Sequence, residues 1–202
     1  MLSYRTIEPH TLELLKKLTA NPLLRELRLV GGTALALQYG HRMSIDLDFF
    51  GKIEIDKEEL KDSLRENGEL SVINETRNIH QYLIDGVKVD IVNYNYPWID
   101  DSIEEDGLCL ASPKDIAAMK INAIEGRGTK KDFIDIAELL KHYPLKELLD
   151  FHAQKYSDAT TFRAMLSLSY FDDAEKQPMP TMFISETWEQ MKQNIKTALT
   201  KL

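Results

Sequence analysis

Two aspartates separated by one residue, Asp46 and Asp48, form the pattern in this sequence with the clearest chemical use. They lie in the segment SIDLDFF, residues 44–50, where apolar and polar residues alternate. This alternation predicts a strand with both carboxylates on one face, about 6.5–7 Å apart. Such oxygens suit a magnesium ion that also binds substrate phosphates. The alternative is a solvent-facing acidic strand edge.

Two glycines, Gly31 and Gly32, precede this pair and follow the short apolar run 27–30. Thr33 opens a stretch of strong helix formers, so we expect a strand, a tight turn and a helix. Glycines let backbone N–H groups approach a phosphate, and a helix N-terminus adds a favourable potential for an anion. A purely structural turn is the alternative.

A third carboxylate, Asp90, lies among β-branched residues in the run 87–92. Burying a carboxylate in a central strand is costly unless a metal ion or a polar partner accompanies it. The alternative is a strand whose polar face carries Lys88 and Asp90 towards water. The sequence thus combines a glycine turn that could bind phosphate, a pair of aspartates and a later single aspartate. This combination predicts a two-metal phosphoryl-transfer site.

The elements that would position these residues divide along the chain, with strands before about residue 110 and helices after it. The Asp85-Gly86 pair predicts a two-residue hairpin loop, and the acidic segment 94–107 is expected to be a connector. The periodicity predicts strands at 70–75, 80–84 and 87–92, and helices at 9–19, from 33, 56–66, 113–125, 130–141, 144–154, about 160–168 and 183–200. This order predicts an α+β fold.

The amino-acid composition excludes several classes of function. The chain has 202 residues, of which 43% are hydrophobic, and 25 basic against 33 acidic residues give a net charge of −8. That charge argues against indiscriminate coating of nucleic acid or binding to anionic lipid. The lone Cys109 excludes an internal disulfide and a multi-cysteine zinc site. With no signal-peptide pattern and no long apolar run, we expect a cytoplasmic protein without a membrane span.

The Gly-Gly, D-x-D and single-aspartate pattern resembles the nucleotidyltransferase superfamily typified by DNA polymerase β. Two stretches, LVGGTALALQYGHRMSIDLDFF and PKDIAAMKINAIEGRGTKKDFIDIAELL, are more specifically similar to the AbiEii nucleotidyltransferase toxin family. The resemblance implies a nucleotidyltransferase-like mixed β-sheet core with flanking helices at 1–108. It also implies a helical C-terminal region at 109–202 that completes the active site.

The family carries a third element, a lysine, then an arginine, then a basic residue followed by D-x-x-D. In this chain the element maps onto the residues Lys120, Arg127, Lys131, Asp132 and Asp135. Lys131 stands where an arginine is common, so a bidentate phosphate fork is replaced there by a point charge. From the residues alone, the alternative is two aspartates stabilising a helix N-terminus beside a solvated surface lysine.

The resemblance implies transfer of an NMP from an NTP to an acceptor hydroxyl, with Mg²⁺ or Mn²⁺ as cofactor. Asp46, Asp48 and Asp90 are then the metal ligands, and Lys120 and Asp132 join them as catalytic residues. The nucleotide-binding candidates are Gly31, Gly32, Thr33, Arg42, Ser44, Arg127, Lys131 and Asp135.

Implied partners are the NTP, a tRNA or other RNA acceptor, and a cognate antitoxin of a bacterial toxin–antitoxin or phage-defence system. Two alternatives remain open at this point. One is a nucleotidyltransferase that modifies a small molecule such as an antibiotic. The other is a non-catalytic member that only binds a nucleotide or a partner.

Overall fold

The computed structural model describes all 202 residues, which form two compact units. The first unit contains Met1–Asn95 and Ser102–Ala111, and the second contains Tyr96–Asp101 and Ser112–Leu202. The predicted ranges 1–108 and 109–202 differ from these units in two places. The strand at 108–110 belongs to the sheet of the first unit, and the segment 96–101 belongs to the second.

The first unit is built on one seven-stranded mixed sheet with the strand order β3-β4-β5-β2-β1-β7-β6. Its strands are β1 (Arg28–Val30), β2 (Leu47–Gly51), β3 (Leu70–Glu75), β4 (Ile79–Ile84), β5 (Val87–Asn93), β6 (Ile103–Glu105) and β7 (Leu108–Leu110). Its α-helices are α1 (Pro9–Ala20), α2 (Gly31–Tyr39) and α3 (Lys57–Arg65). The predicted α+β fold is confirmed.

Strand β2 occupies the middle of this sheet, where it pairs antiparallel with β1 and parallel with β5. Its inward residues Leu47 and Phe49 are buried, as are Val89 and Ile91 of β5. The outward positions of both strands are partly exposed. The sheet therefore has one face committed to the core and one face open for polar residues.

The strand predicted at 44–50 is shorter than expected, because β2 begins only at Leu47. Ile45, which the alternation assigned to the buried face, is 48% exposed. The backbone before β2 is instead held by other contacts. The Ser44 N–H donates to the Thr6 carbonyl at 2.8 Å, and the Asp46 carbonyl accepts from the Thr33 hydroxyl at 2.5 Å.

Two hairpins close with an aspartate and a glycine in the left-handed region. The predicted loop at Asp85 and Gly86 is confirmed, with φ of 47° and 83°. The second, at Asp106 and Gly107, was not predicted and has φ of 54° and 78°. It joins β6 to β7, so the interpretation of 94–107 as a connector alone was wrong. The acidic composition of this segment indicates a loop, but the segment contains the short edge strand β6.

The second unit is helical, as predicted for this part of the chain. Its helices are α4 (Pro113–Gly126), α5 (Lys130–Leu139), α6 (Leu145–Lys155), α7 (Thr161–Leu168), α8 (Asp172–Glu175) and α9 (Trp188–Leu199). The short α8 was not predicted, and α9 begins five residues later than expected because Thr187 and Gln190 form a capping box there. None of the helices has the length and apolar character that a membrane crossing requires.

A buried ion pair ties the segment 96–101 to this helical unit. Asp115 and Lys155 lie 2.7 Å apart with side chains that are 0% exposed. The Asp115 carboxylate also accepts from the Ser112 hydroxyl at 2.7 Å. Lys155 lies 4.5 Å from the ring centroid of Trp98. Three hydrogen bonds hold segment 96–101 to this pair. The N–H groups of Ile99 and Asp100 donate to the Asp115 carboxylate at 2.9 and 3.3 Å. The Pro97 carbonyl accepts from the Lys155 ammonium at 2.8 Å.

His152 on α6 makes stability depend on pH. Its ring is buried, Nε2 has no hydrogen-bond partner, and burial lowers its pKa below the usual 6.5 despite the opposing charge of Glu125. In the unfolded chain His152 therefore binds a proton near pH 6.5, whereas in the folded chain it does so only at a lower pH. We expect stability to fall below pH 6.5 by up to about 1.4 kcal/mol per pH unit from this group.

The measurement is urea unfolding between about pH 5 and 7.5 for the parent and His152→Gln. The variant should lose part of the pH slope, and His142→Gln, at an exposed histidine, is the matched control. Equal slopes for the parent and His152→Gln would contradict the assignment.

Candidate nucleotidyl-transfer site

The two glycines directly follow β1 and are the first residues of α2, so this helix begins two residues earlier than the sequence predicts. Val30 is the N-cap of α2, and its side chain makes no capping hydrogen bond. Gly31 has φ +68°, and a Cβ on it would overlap the Asp48 carboxylate. The turn therefore brings an electropositive helix end directly against the D-x-D carboxylate.

The second glycine allows a different close approach. A Cβ on Gly32 would overlap the Arg42 guanidinium and come within 3.2 Å of the Ser44 Oγ. Arg42 is 1% exposed and donates to the Met43 carbonyl at 3.0 Å. Arg42 and Ser44 thus lie beside the glycine turn, and their binding of nucleotide stays a prediction.

Thr33 has a structural task that the sequence did not reveal. Its hydroxyl proton is donated to the Asp46 carbonyl, and its oxygen lies 2.9 Å from the Ser44 Oγ. Because a hydroxyl carries one proton, Thr33 must accept from Ser44. The side chain is therefore engaged within the protein, and only the backbone N–H of Thr33 suits a phosphate.

A substitution at Gly31 tests this turn. Gly31→Ala should lower the free energy of unfolding by about 1–2 kcal/mol, because alanine is strained at positive φ and its methyl group meets Asp48. Chemical denaturation measures the change. Gly126→Ala is the control, since a Cβ there has no neighbour within 4 Å and the helix tolerates alanine. Equal stability of the two variants would show that the turn is not constrained.

Asp48 and Asp90 are brought together by strand pairing. They are opposite each other in the parallel register of β2 and β5, and both point to the open face of the sheet. The Asp90 Oδ2 accepts from the Gln81 amide at 2.9 Å and from the Lys88 ammonium at 2.5 Å. The Asp90 Oδ1 is buried and has no hydrogen-bond partner. An unpaired carboxylate oxygen beside a second carboxylate is suited to a cation.

Asp46 is placed differently from its two predicted partners. It precedes β2, where Thr33 holds its backbone, and no three or more Asp, Glu, His or Cys side chains lie close enough together to enclose a metal ion. The residues nonetheless fit magnesium, because Mg²⁺ is commonly held by one or two carboxylates and completed by substrate phosphates. Asp48 and Asp90 supply two, and a ligand role for Asp46 stays a prediction.

Three residues of the predicted third element, Lys120, Asp132 and Asp135, form a buried cluster in the second unit. The Lys120 ammonium lies 2.9 Å from Asp132 and 2.6 Å from Asp135. The second oxygen of Asp132 accepts from the Thr129 hydroxyl at 2.5 Å and from the Arg127 Nε at 3.3 Å. Two cations thus face two carboxylates. The alternative of a solvated surface lysine is excluded, since the Lys120 side chain is 8% exposed.

Charge and burial oppose each other at Asp132. Burial alone would raise its pKa, but the charges of Lys120 and Arg127 and the bond from Thr129 outweigh burial and lower the pKa below the usual value. The carboxylate therefore stays ionised at neutral pH. It orients both cations, and the Arg127 side chain remains 68% exposed.

The two lysines at the start of α5 have opposite environments. Lys131, the predicted phosphate contact, is exposed. Its neighbour Lys130 is buried and donates to the carbonyls of Glu175 and Gln177 at 3.2 and 2.6 Å. Lys130 therefore anchors the start of α5 against the α8 region, and phosphate binding by Lys131 stays a prediction.

Gln81 is the neighbour of the site that the sequence reasoning missed. A signal for it exists, because a two-residue loop at Asp85 and Gly86 pairs 84 with 87 and therefore 81 with 90. The structure has this register. The contact between Gln81 and Asp90 could thus have been read from the predicted hairpin.

Comparisons with known proteins identify the family of this chain. The model of the nucleotidyl transferase AbiEii toxin family, type IV toxin–antitoxin system, matches residues 13–201. An uncharacterised Aquifex aeolicus protein, aq_aa25, is 33% identical over 202 residues, covering 95% of each chain.

Solved structures share the fold. A nucleotidyltransferase toxin of Mycobacterium tuberculosis, MenT4, has a TM-score of 0.60 at 15% identity, covering 96% of this chain and 83% of that one. An H. pylori protein provisionally described as a nucleotidyltransferase has a TM-score of 0.60 at 19% identity, covering 96% and 95%. The nucleotidyltransferase-like fold is confirmed. The chain belongs to the nucleotidyl transferase AbiEii toxin family of type IV toxin–antitoxin systems, and it is a nucleotidyltransferase.

Proposed function

We propose that this nucleotidyltransferase transfers an NMP from an NTP to a hydroxyl of an RNA acceptor, such as a tRNA end, in a reaction that depends on Mg²⁺ or Mn²⁺. The observation that supports it most strongly is the pairing of Asp48 with Asp90 beside the N-terminus of α2. This arrangement joins a cation site to an anion site on one unit.

In the first unit, different residues bind the phosphates of the nucleotide and the cation. The N–H groups at Gly31, Gly32 and Thr33 bind phosphate oxygens, and Asp48 and Asp90, with Asp46 as a further candidate, hold the cation. When bound, the metal supplies neutralisation of charge on the phosphates and polarisation of the reacting oxygens. Asp90 also aligns the acceptor hydroxyl and receives its proton.

The reaction is an in-line displacement. The acceptor oxygen forms a bond to the α-phosphorus while the bond from that phosphorus to the bridging oxygen breaks, and pyrophosphate leaves. Positioning and charge neutralisation account for most of the rate. For the second unit, we assign phosphate binding to Lys120, Arg127 and Lys131, with Asp132 and Asp135 orienting Lys120.

An RNA end as acceptor is compatible with the charge of the chain. A net charge of −8 opposes broad nucleic-acid binding, but carboxylates that hold a cation become locally attractive to phosphate. The family description also implies a cognate antitoxin, and we place toxin and antitoxin together in the cytoplasm.

A labelling experiment tests the proposal. Purified protein is incubated with each α-labelled NTP, Mg²⁺ and total RNA, with and without EDTA. Label should enter RNA, and EDTA should prevent it. Label on an added aminoglycoside instead of RNA would select a small-molecule acceptor. Absence of transfer to any acceptor, with no NTP binding, would reject the proposal.

A further inference from the structure

A polar row crosses the open face of the sheet and begins at the paired aspartates. The strand registers place Asp48 of β2 opposite Asp90 of β5, Asp90 opposite Gln81 of β4, and Gln81 opposite Asn74 of β3. The row therefore runs from the middle of the sheet to its β3 edge. The buried face at the neighbouring positions of β4 carries His80 and Tyr82.

The amide of Gln81 has a defined orientation in this row. A carboxylate can only accept, so the Gln81 Nε2 must face Asp90, and it does so at 2.9 Å. On the other side, the Asn74 Nδ2 lies 3.4 Å from the Gln81 Oε1. Both ends of the Gln81 amide are therefore used, and the side chain is held between two strands.

The two carboxylate oxygens of Asp90 therefore differ in their hydrogen-bond partners. Gln81 and Lys88 both donate to Oδ2, whereas Oδ1 is buried without a partner. Leaving a buried carboxylate oxygen unsatisfied is unfavourable, and folded proteins rarely do so without a functional reason. Gln81 and Lys88 therefore engage Oδ2 and leave Oδ1 as the Asp90 oxygen without a protein partner.

We infer that Gln81 is a positioning residue, which fixes the Asp90 carboxylate by its Oδ2 so that Oδ1 is available to the divalent cation of the reaction. The inference rests on the proposed metal dependence of this site. Gln81 carries no charge, so it orients Asp90 without adding to the charge neutralisation that the Lys88 ammonium supplies. Partners that orient metal-binding carboxylates in this way strengthen ion binding.

The experiment measures Mn²⁺ binding to the protein without nucleotide, by the EPR signal of free Mn²⁺. Gln81→Met keeps the side-chain length and removes the amide, and we expect its Kd for Mn²⁺ to rise about 10-fold. The kcat for nucleotidyl transfer should fall by about the same factor. The KM for NTP should stay within about twofold, because no nucleotide contact is assigned to Gln81.

Two further variants separate positioning from general structural damage. Gln81→His, measured near pH 8, restores a neutral N–H donor of similar reach and should recover most of the Mn²⁺ affinity. Ser71→Ala, at an exposed position on β3, should match the parent. Parental Mn²⁺ affinity in Gln81→Met, or a loss in Gln81→Met that Gln81→His does not recover, would overturn the positioning role.

The metal site itself is tested separately. Asp90→Asn and Asp48→Asn should each weaken Mn²⁺ binding more than Gln81→Met does. If both bind Mn²⁺ like the parent, the metal dependence proposed for this site is wrong. If they are impaired while Gln81→Met binds normally, only the role of Gln81 is rejected.

Discussion

Asp48→Asn is expected to lower the kcat of nucleotidyl transfer about 1,000-fold, because several kcal/mol of charge stabilisation in the transition state depend on the ion it holds. Asparagine keeps the shape of the side chain but removes the charge. Asp48 faces the α2 N-terminus at Gly31 and pairs with Asp90 across the strands. If the cation is lost, the attraction that it exerts on the substrate phosphates is lost with it.

The measurement is single-turnover transfer of labelled NMP at saturating Mg²⁺, with folding checked by thermal unfolding. Asp62→Asn is the matched control, since Asp62 is an exposed aspartate on α3 that pairs with Arg65. The control should retain parental activity. An Asp48→Asn enzyme within about threefold of the parent would reject Asp48 as a metal ligand.

Lys155→Met should destabilise the protein by about 3–5 kcal/mol, because it leaves the buried Asp115 carboxylate without its cation. Both side chains are completely buried, and Lys155 also donates to the Pro97 carbonyl. Methionine fills a similar volume, so the effect reports on charge and hydrogen bonding more than on a cavity. The expected secondary result is release of the segment 96–101 from the helical unit.

Urea unfolding gives the free energy, and hydrogen exchange at the N–H groups of Ile99 and Asp100 reports on the segment. Lys146→Met is the control, because Lys146 forms only an exposed pair with Asp150 and should be neutral. A double variant, Asp115→Asn with Lys155→Met, should lose less than the sum of the two single losses. Additive losses would mean that the two groups are not coupled.

Local patterns in the sequence predicted most of the elements correctly. The helices predicted at 56–66 and 113–125 are α3 and α4, which are capped by the side chains of Asp56 and Ser112, and capping depends on a few neighbouring residues. The Asp85-Gly86 loop fixes the β4–β5 register in the same local way, and with it the contact between Gln81 and Asp90. Where composition misled, at the acidic strand β6, the strand is three residues long and forms only with its partner β7.

The amino-acid sequence by itself determined the order of the chemical groups: a glycine turn, paired aspartates, a third aspartate on a later strand, and a lysine followed by D-x-x-D. Only the tertiary structure decided which of these groups meet. The parallel pairing of β2 with β5 sets Asp48 beside Asp90, and Asp46 stays outside the strand. Packing likewise buries Lys120 between Asp132 and Asp135. The physical reason is the separation of the interacting residues along the chain. Caps and hairpins depend on neighbours in the sequence. Parallel strand pairing and burial depend on residues that are about 40 or more positions apart or lie on separate helices.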